Sequence, residues 1–266
     1  MPITKTYYKV HRVFPDPDYF YLENISGSAA NFNVNKNGTP ASTDLAYSFD
    51  KVTWTDIHNG GVVTVADGEK IYLRSTTGLS LDTNNFISFA FTSICNTGGH
   101  IASLFNYLNI GSFTEIPSYG CLYLFNSVNT VHCNIDFAGV TTIKQHGLEM
   151  TWYQNSNLIT VPDLSGIQTI ETYGLSSGFA WCTSLQSGVD LSGVTNYDNY
   201  SINKLYYKDA SLNDATYPNV SSYNQNSCYD WLQDTASTGV VRKPAGLTIP
   251  TNTNNGIPTG WTTEDY

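Results

Sequence analysis

Charged side chains are scarce in this sequence of 266 residues. It has 12 Lys and Arg against 22 Asp and Glu, so the formal net charge at pH 7 is −10. Nucleic-acid binding draws its affinity from clustered Lys and Arg, so the composition argues against a nucleic-acid partner. The polar surface has to come from Asn, Thr, Ser, Gly and 19 Tyr. Such a surface is unusual for a cytosolic enzyme and typical of an extracellular or particle-borne protein.

Long apolar runs are also missing. No stretch reaches the roughly 18 apolar residues of a transmembrane helix, so the sequence predicts no membrane insertion. The first residues, Met1 to Val10, lack the uninterrupted apolar core of a secretory signal. We therefore expect no export by the usual route.

Paired cysteines and clustered histidines are absent as well. The five cysteines form an odd set with no Cys-x-x-Cys spacing, which favours buried free thiols over disulfides or zinc. The five histidines share no metal-ligand or acid–base spacing. The sequence therefore predicts no cofactor. The residues are Cys95, Cys121, Cys133, Cys182 and Cys228, with His11, His58, His100, His132 and His146.

A regular repeat fills the second half of the chain. Its segments open with a small residue and then an apolar one, and carry a large apolar or aromatic residue five places on. They begin at Gly120, Gly147, Gly174, Ser201 and Ser227. Two apolar columns keep the same interval: Leu104, Val131, Leu158, Leu185 and Leu212, and Ile116, Ile143, Ile170 and Tyr197. The period, about 27 residues, lies within the leucine-rich-repeat range and predicts a strand, a turn and an irregular return per unit.

Alternation along the predicted strands separates inner from outer side chains. In one repeat it places Leu158, Thr160, Pro162 and Leu164 inside, and Ile159, Val161 and Asp163 outside. The same positions elsewhere place the following residues outside: His132, Asn134, Asp136, Gln186, Gly188, Asp190, Asn213, Ala215 and Tyr217. We take six of these as candidate ligand- or partner-binding residues: His132, Asn134, Ile159, Gln186, Asn213 and Tyr217.

The aromatic residues divide into two groups. Those that recur once per repeat are predicted to be core: Phe125, Trp152, Phe179 and Tyr206. The less regular Tyr153, Tyr207, Tyr217 and Tyr229 would stack on sugar rings or anchor an interface if exposed.

The flanking regions have different patterns. Before about residue 92, strand-like segments at Tyr8 to Phe14 and Phe20 to Ile25, a turn at Asn37-Gly38, and a hairpin around Asp67-Gly68 predict an antiparallel β-sandwich. The hairpin strands are Val62 to Val65 and Lys70 to Arg74. After Gly239 the chain is rich in Pro, Gly, Asn and Thr, which predicts an irregular cap. The expected fold is mainly β: a sandwich (1–92), a short leucine-rich-repeat solenoid (93–238) and a cap (239–266).

Three stretches resemble a known family. The repeats, with their Asp163-Leu-Ser-Gly166 turn, are similar to the BspA-like leucine-rich repeats of bacterial surface proteins and of virion proteins from phages of gut bacteria. Tyr47 to Arg74 resembles the β-module that often precedes such repeats, and Gly256-Ile-Pro-Thr-Gly-Trp261 resembles their usual ending. The resemblance covers about residues 45 to 266. It implies adhesion or structural display and supplies no catalytic residues.

The resemblance and composition lead to two hypotheses for function. In the first, this is a non-enzymatic phage virion protein, such as a head or tail fibre or decoration component. Its N-terminal module would contact other virion proteins and form a homo-oligomer, and its repeats would face a host glycan or protein at the virion surface. In the second, it is a secreted bacterial cell-surface adhesin.

Two further patterns have a chemical and a structural interpretation. Gly174-Leu-Ser-Ser-Gly178 matches the hydrolase nucleophile elbow, but Ser176 aligns with the variable positions Glu149 and Leu122, which indicates an ordinary repeat position. Asp136, Asp163 and Asp190 recur once per repeat and are the alternative candidates for a calcium site. Asp followed three places later by Gly favours a turn in which the carboxylate accepts a backbone N–H.

A basic cluster lies near the N-terminus of this acidic chain. It contains Lys5, Lys9, His11 and Arg12. The cluster is interpreted either as a docking arm for an acidic partner or as a solvated strand edge.

Overall fold

The protein is described from a computed structural model. The structure describes residues 18–40, 44–58, 60–126, 128–251 and 254–266. It is mainly β, with 31% of residues in strands and 4% in helices, so the predicted class is confirmed. The predicted strand at Tyr8 to Phe14 lies outside the described residues, and so does the basic cluster of Lys5, Lys9, His11 and Arg12.

Two sheets form the N-terminal part. In spatial order, the larger contains β10 (Thr130–Asp136), β8 (Cys95–His100), β1 (Phe20–Asn24), β6 (Lys70–Arg74), β3 (Ala46–Ser48) and β4 (Thr55–Asp56). The smaller contains β5 (Val62–Val65), β2 (Ala30–Asn37) and β7 (Phe86–Phe91). Every pairing is antiparallel except that of β10 with β8.

The core between these sheets follows from strand alternation. Every second residue of β1 and β7 is buried, as a half-buried strand requires. The ring of Phe20 lies 6.3 Å from that of Phe89 in the opposite sheet. Phe125, from the first repeat, stacks on Phe20 at 5.3 Å and packs against Trp152 at 5.8 Å. One apolar core therefore runs from the two sheets into the repeats.

The predicted hairpin around Asp67-Gly68 is wrong. β5 pairs with β2 and β6 pairs with β1 and β3, so the two strands lie in different sheets. The side chain of the buried Asn24 holds the crossover, because it donates to the carbonyl of Val65. Gly68 provides the left-handed turn at φ 73°. The predicted turn at Asn37-Gly38 is confirmed, since Gly38 has a φ of 64° where β2 ends.

The larger sheet includes strands from both sides of residue 92. β8 pairs antiparallel with β1 and parallel with β10. It leads into a short helix, α1 (Ser103–Asn106), and a 3₁₀ turn (Tyr107–Ser112). The N-terminal sheets and the first repeat thus share backbone hydrogen bonds as well as a core.

Equivalent strands of successive repeats pair in parallel. β9 (Glu115–Ile116), β11 (Thr142–Ile143), β12 (Thr169–Ile170) and β13 (Asn196–Tyr197) form one sheet in chain order. Ile116, Ile143 and Ile170 are direct partners and fully buried. The apolar column inferred from the sequence therefore occupies one equivalent position in neighbouring parallel strands.

A chain of tight turns completes each repeat. Every second backbone N–H donates to the carbonyl three residues back, as Thr151 donates to Leu148. The N–H groups between them donate to carbonyls of the next repeat, as Trp152 donates to Gly178. This winding needs a left-handed residue every fourth position, with φ of 51–66°. In the repeats these are Tyr119, Tyr123, His146, Met150, Gln154, Tyr173, Ser177, Trp181, Tyr200, Lys204, Lys208, Asp230 and Asp234. They are not glycines, so the sequence carried no signal for them.

The predicted irregular cap contains regular structure. β15 (Gly239–Lys243) pairs in parallel with β14 (Asp214–Thr216) on one side and with β16 (Trp261–Asp265) on the other. Val241 is fully buried, and the next residue, Arg242, is exposed. An apolar side chain in the core therefore anchors β15. The Pro- and Gly-rich stretch is only the connection between these strands.

Candidate functional site

Exposed side chains recur in the repeats at positions that the sequence predicts to point outward. We call these positions the outer face and define it by Asn134, Asp136, Ile159, Asp163, Gln186, Asp190 and Asn213, all of which are exposed. Ile159 is 50% exposed, which is high for an apolar side chain. The sequence predicts each of these residues outside, and the structure agrees for each.

Hydrogen bonds between repeats hold this face in place. Ile159 donates its N–H to the carbonyl of Val131 at 2.8 Å. Further along, Asn213 donates to the carbonyl of Gln186 at 3.0 Å and Val240 donates to that of Asn213 at 2.9 Å. The backbone beneath the exposed side chains is therefore fixed relative to its neighbours.

His132 lies at the edge of the outer face and is half-buried. Its Nδ1 lies 3.3 Å from the hydroxyl of Thr160, and the two residues pair as a parallel bridge. Thr160 was predicted inside and is exposed. The alternation fails there because residues 159–163 contribute one bridge and no regular strand.

The predictions for Tyr217 and Ala215 are wrong. Both were placed on the exposed side, yet Tyr217 is fully buried and Ala215 is 1% exposed. The Tyr217 hydroxyl lies 2.8 Å from that of Tyr197, and its ring meets Trp231 edge-on at 5.5 Å. Burial raises the pKa of Tyr217 above its ordinary value. The C-terminal strands cover this position, since Tyr217 donates its N–H to the carbonyl of Arg242.

The three aspartates of the turn column each close a turn. Oδ1 of Asp136, Asp163 and Asp190 accepts the N–H two residues further on, at 2.7, 2.9 and 2.8 Å. Hydrogen bonding by the side chain of Ser165, and then by its backbone N–H, holds the pKa of Asp163 below its ordinary value. Within the described part of the chain, no three His, Cys, Asp or Glu side chains are grouped to hold a metal ion. This geometry matches the interpretation in which each carboxylate closes a turn by accepting a backbone N–H.

A shallow cleft of about 260 Å³ lies at the C-terminal end of the outer face. It is lined by Gly188, Asp190, Ser192, Asp214, Thr216, Arg242 and Tyr266. The Arg242 guanidinium forms a salt bridge with Asp214 and lies 3.9 Å from Glu264. The hydrogen bond and charge of Asp214 raise the pKa of Arg242.

Tyr266 closes one side of the cleft. Its hydroxyl donates to the carbonyl of Tyr217 at 2.8 Å. Burial, and then the charge of Asp190, raises the pKa of Tyr266 to about 12. Arg242 and Tyr266 were not predicted as site residues, because the tail was expected to be irregular. Asp214 was not predicted because it lies between Asn213 and Ala215, which the register placed outside. The β-branched pair Val240-Val241 was the available signal for a strand in the tail.

The remaining candidates are not grouped as a reactive site. Ser176 is buried, at 2% exposure, and its carbonyl accepts the N–H of Met150. All five cysteines are buried and free, as predicted. The core aromatic residues Phe125, Trp152, Phe179 and Tyr206 are fully buried, as predicted.

Comparison with protein-family models, with curated proteins and with solved structures finds no match for this chain. None of the helices in the described residues has the length and apolarity needed to cross a membrane.

Proposed function

We propose that this is a non-enzymatic attachment protein whose outer face binds a host-surface glycan or protein. The observation that carries the proposal is the outer face itself. Its polar and acidic side chains, with Ile159 among them, are exposed on backbones that neighbouring repeats hold in fixed positions. A rigid surface of adaptable hydrogen-bonding groups suits recognition, because little conformational entropy is lost on binding.

The architecture we propose is a short leucine-rich-repeat solenoid of the BspA-like kind. The parallel pairing of equivalent strands, one from each repeat, supports this, as do the hydrogen bonds from each turn chain to the next. In a solenoid each unit contacts mainly its neighbours, and the stack presents one extended surface.

We propose further that the protein is carried on a phage particle. The low charge and the abundance of neutral polar residues support an extracellular or particle-borne surface. In this proposal residues 1–92 contact other virion proteins and support a homo-oligomer, and the repeats face outward.

Binding to a glycan array and to bacterial cells tests the role of the outer face. The informative variant combines Asn134→Ala, Gln186→Ala and Asn213→Ala, all at exposed positions. Its matched control combines Gln168→Ala, Asn196→Ala and Thr248→Ala, which are also exposed but lie off the outer face. Loss of binding in the first triple variant and retention in the second is the expected result. Equal binding by both would contradict the proposal.

Mass spectrometry of purified phage particles tests the location. We expect the chain among the particle proteins. Its recovery from the bacterial cell envelope, and not from particles, would contradict the virion location and favour the cell-surface adhesin.

A further inference from the structure

Two lysines of the repeats differ from the other Lys and Arg residues after residue 93. Lys144, Arg242 and Lys243 each form a salt bridge with a carboxylate. Among the described residues, no carboxylate lies within salt-bridge distance of Lys204 or Lys208. Both instead lie against aromatic rings. In a chain with a net charge of −10, two cations that form no salt bridge with a described carboxylate are conspicuous.

The rings beside them are partly open to solvent. Lys208 Nζ lies 4.5 Å from the ring centroid of Trp181 and 5.3 Å from that of Tyr207. Lys204 Nζ lies 5.7 Å from the Tyr207 ring on the same surface. The two rings meet edge-to-face at 6.4 Å, and Trp181 is 36% exposed. We call Trp181, Lys204, Tyr207 and Lys208 the lysine–aromatic patch.

The turn chain fixes the backbone of this patch. Trp181, Lys204 and Lys208 occupy left-handed positions, with φ of 65, 51 and 66°. Trp181 donates its N–H to the carbonyl of Tyr207 at 2.9 Å, and Lys208 donates to that of Gln233 at 2.8 Å. Because the backbone is held on both sides, ligand binding would need only side-chain movement. Lys204 interacts electrostatically with Asp230, which is only 8% exposed.

We infer that the lysine–aromatic patch binds an acidic saccharide, that is, a sugar carrying a carboxylate. The apolar face of the sugar ring would pack on the exposed ring of Trp181, which Tyr207 meets edge-to-face. The carboxylate would draw Lys208 and Lys204 away from the rings into ion pairs, since a charge-assisted hydrogen bond is stronger than an exposed cation–π contact. The patch is separate from the outer face, so the inference holds whether or not that face binds a receptor.

An acidic peptide would also pair with the lysines, but it would not need an exposed aromatic ring beside them. The rings favour a saccharide, which has both an apolar ring face and a charge. A single site of this kind is expected to be weak, with a Kd on the order of 1 mM. Several copies in an oligomer would raise the avidity.

Tryptophan fluorescence offers a direct test. Of the five tryptophans, Trp152, Trp231 and Trp261 are buried and Trp54 is partly buried, while Trp181 is exposed. Titration with an oligogalacturonate should change the emission saturably. The fully methyl-esterified oligomer keeps the rings and removes the charge, so it should bind about tenfold more weakly or not at all.

Three variants and a control make the test specific. W181Q places at this position the residue that stands at the equivalent position of the preceding repeat, Gln154, so the fold is expected to be retained. W181Q should abolish the response, and affinity measured by NMR should confirm lost binding. K204Q and K208Q should each weaken binding about tenfold. K144Q removes a carboxylate-paired lysine and should have no effect.

Several results would overturn the inference. They are an absence of saturable binding by the unmodified protein, equal binding of the esterified oligomer, or unchanged affinity in K204Q and K208Q. Binding of a polyglutamate peptide that survives W181Q would also overturn it, because it would indicate a simple charge site for acidic peptides.

Discussion

Gly193 lies against the carbonyl oxygen of Ser165 in the preceding repeat. A Cβ atom on Gly193 would come within 2.0 Å of that oxygen. Gly166 occupies the same place in the turn one repeat earlier, and a Cβ there would meet the carbonyl oxygen of Val140 at an ordinary 3.7 Å. The two glycines thus share a motif but not an environment.

Gly193→Ala should destabilise the protein by about 2–4 kcal/mol, because rigid backbone has to shift to relieve the overlap. Gly166→Ala should be neutral or stabilising by up to about 1 kcal/mol, since its backbone is not left-handed. Urea denaturation of the two variants measures the difference. Similar losses in both would mean that the turns are not stacked as described.

Gln154 tests the left-handed positions of the turn chain. It is exposed and has a φ of 63°. Gln154→Gly should stay within about 1 kcal/mol of the parent, because relief of left-handed strain offsets the extra entropy of the unfolded chain. Gln154→Val should be clearly less stable, since β-branched residues tolerate this conformation worst. Thermal melting compares the two, and equal melting temperatures would contradict the geometry.

Asp209 predicts a pH dependence of stability. It is fully buried, and its Oδ1 accepts the N–H of Cys182 at 2.7 Å, while no hydrogen bond to Oδ2 is present among the described residues. Burial raises the pKa of Asp209 to about 8. Asn155 stands at the equivalent position two repeats earlier. Its Nδ2 donates to the carbonyl of Phe125 at 2.8 Å. A protonated Asp209 would resemble Asn155 in having a donor.

The direction of this pH dependence follows from the raised pKa of Asp209. The folded state keeps the Asp209 proton to about pH 8, and the unfolded chain releases it near pH 4. The contribution of Asp209 to the free energy of unfolding is therefore fully present below pH 4. It falls as the pH rises to 8, by up to about 1.4 kcal/mol per pH unit. Asp209→Asn should remove this slope.

Urea denaturation of the parent and of Asp209→Asn between pH 4 and 9 measures this pH dependence of stability. Asp163→Asn is the control, because the pKa of Asp163 is lowered and its contribution is lost only on acidification. Parallel pH profiles for Asp209→Asn and the parent would contradict the neutral carboxyl.

The cysteines give a fourth prediction. Burial raises the pKa of each thiol. The folded protein should therefore react with a maleimide far more slowly than the unfolded chain, which should take up five equivalents. Rapid labelling of the folded protein would show that at least one thiol is accessible.

The repeat core could be predicted from the sequence because apolar spacing reports packing directly. Phe125, Trp152 and Phe179 recur once per repeat, and the ring of Trp152 lies 4.8 Å from that of Phe179, nearly parallel to it. The outer-face residues Gln186 and Asn213 followed from the same register. Where each repeat keeps its length, position along the chain determines burial.

Other features depended on contacts that spacing does not reveal. Tyr217 was placed outside because the register was carried forward, but β15 and Tyr266 cover it. Arg242 belongs to the cleft only because the tail forms strands. The hairpin prediction failed because Asn24, which directs the crossover, is far from the turn along the chain.

Site-specific blocking tests the central claim, attachment through the outer face, most directly. Because the native thiols are buried, Gln186→Cys introduces one reactive cysteine on the outer face, and Gln168→Cys introduces one at an exposed position off it. Each variant is coupled to a polyethylene-glycol maleimide, and binding to a panel of gut bacterial strains is measured before and after coupling. We predict that coupling at position 186 abolishes binding and that coupling at position 168 does not. Unchanged binding after coupling at 186 would contradict the account.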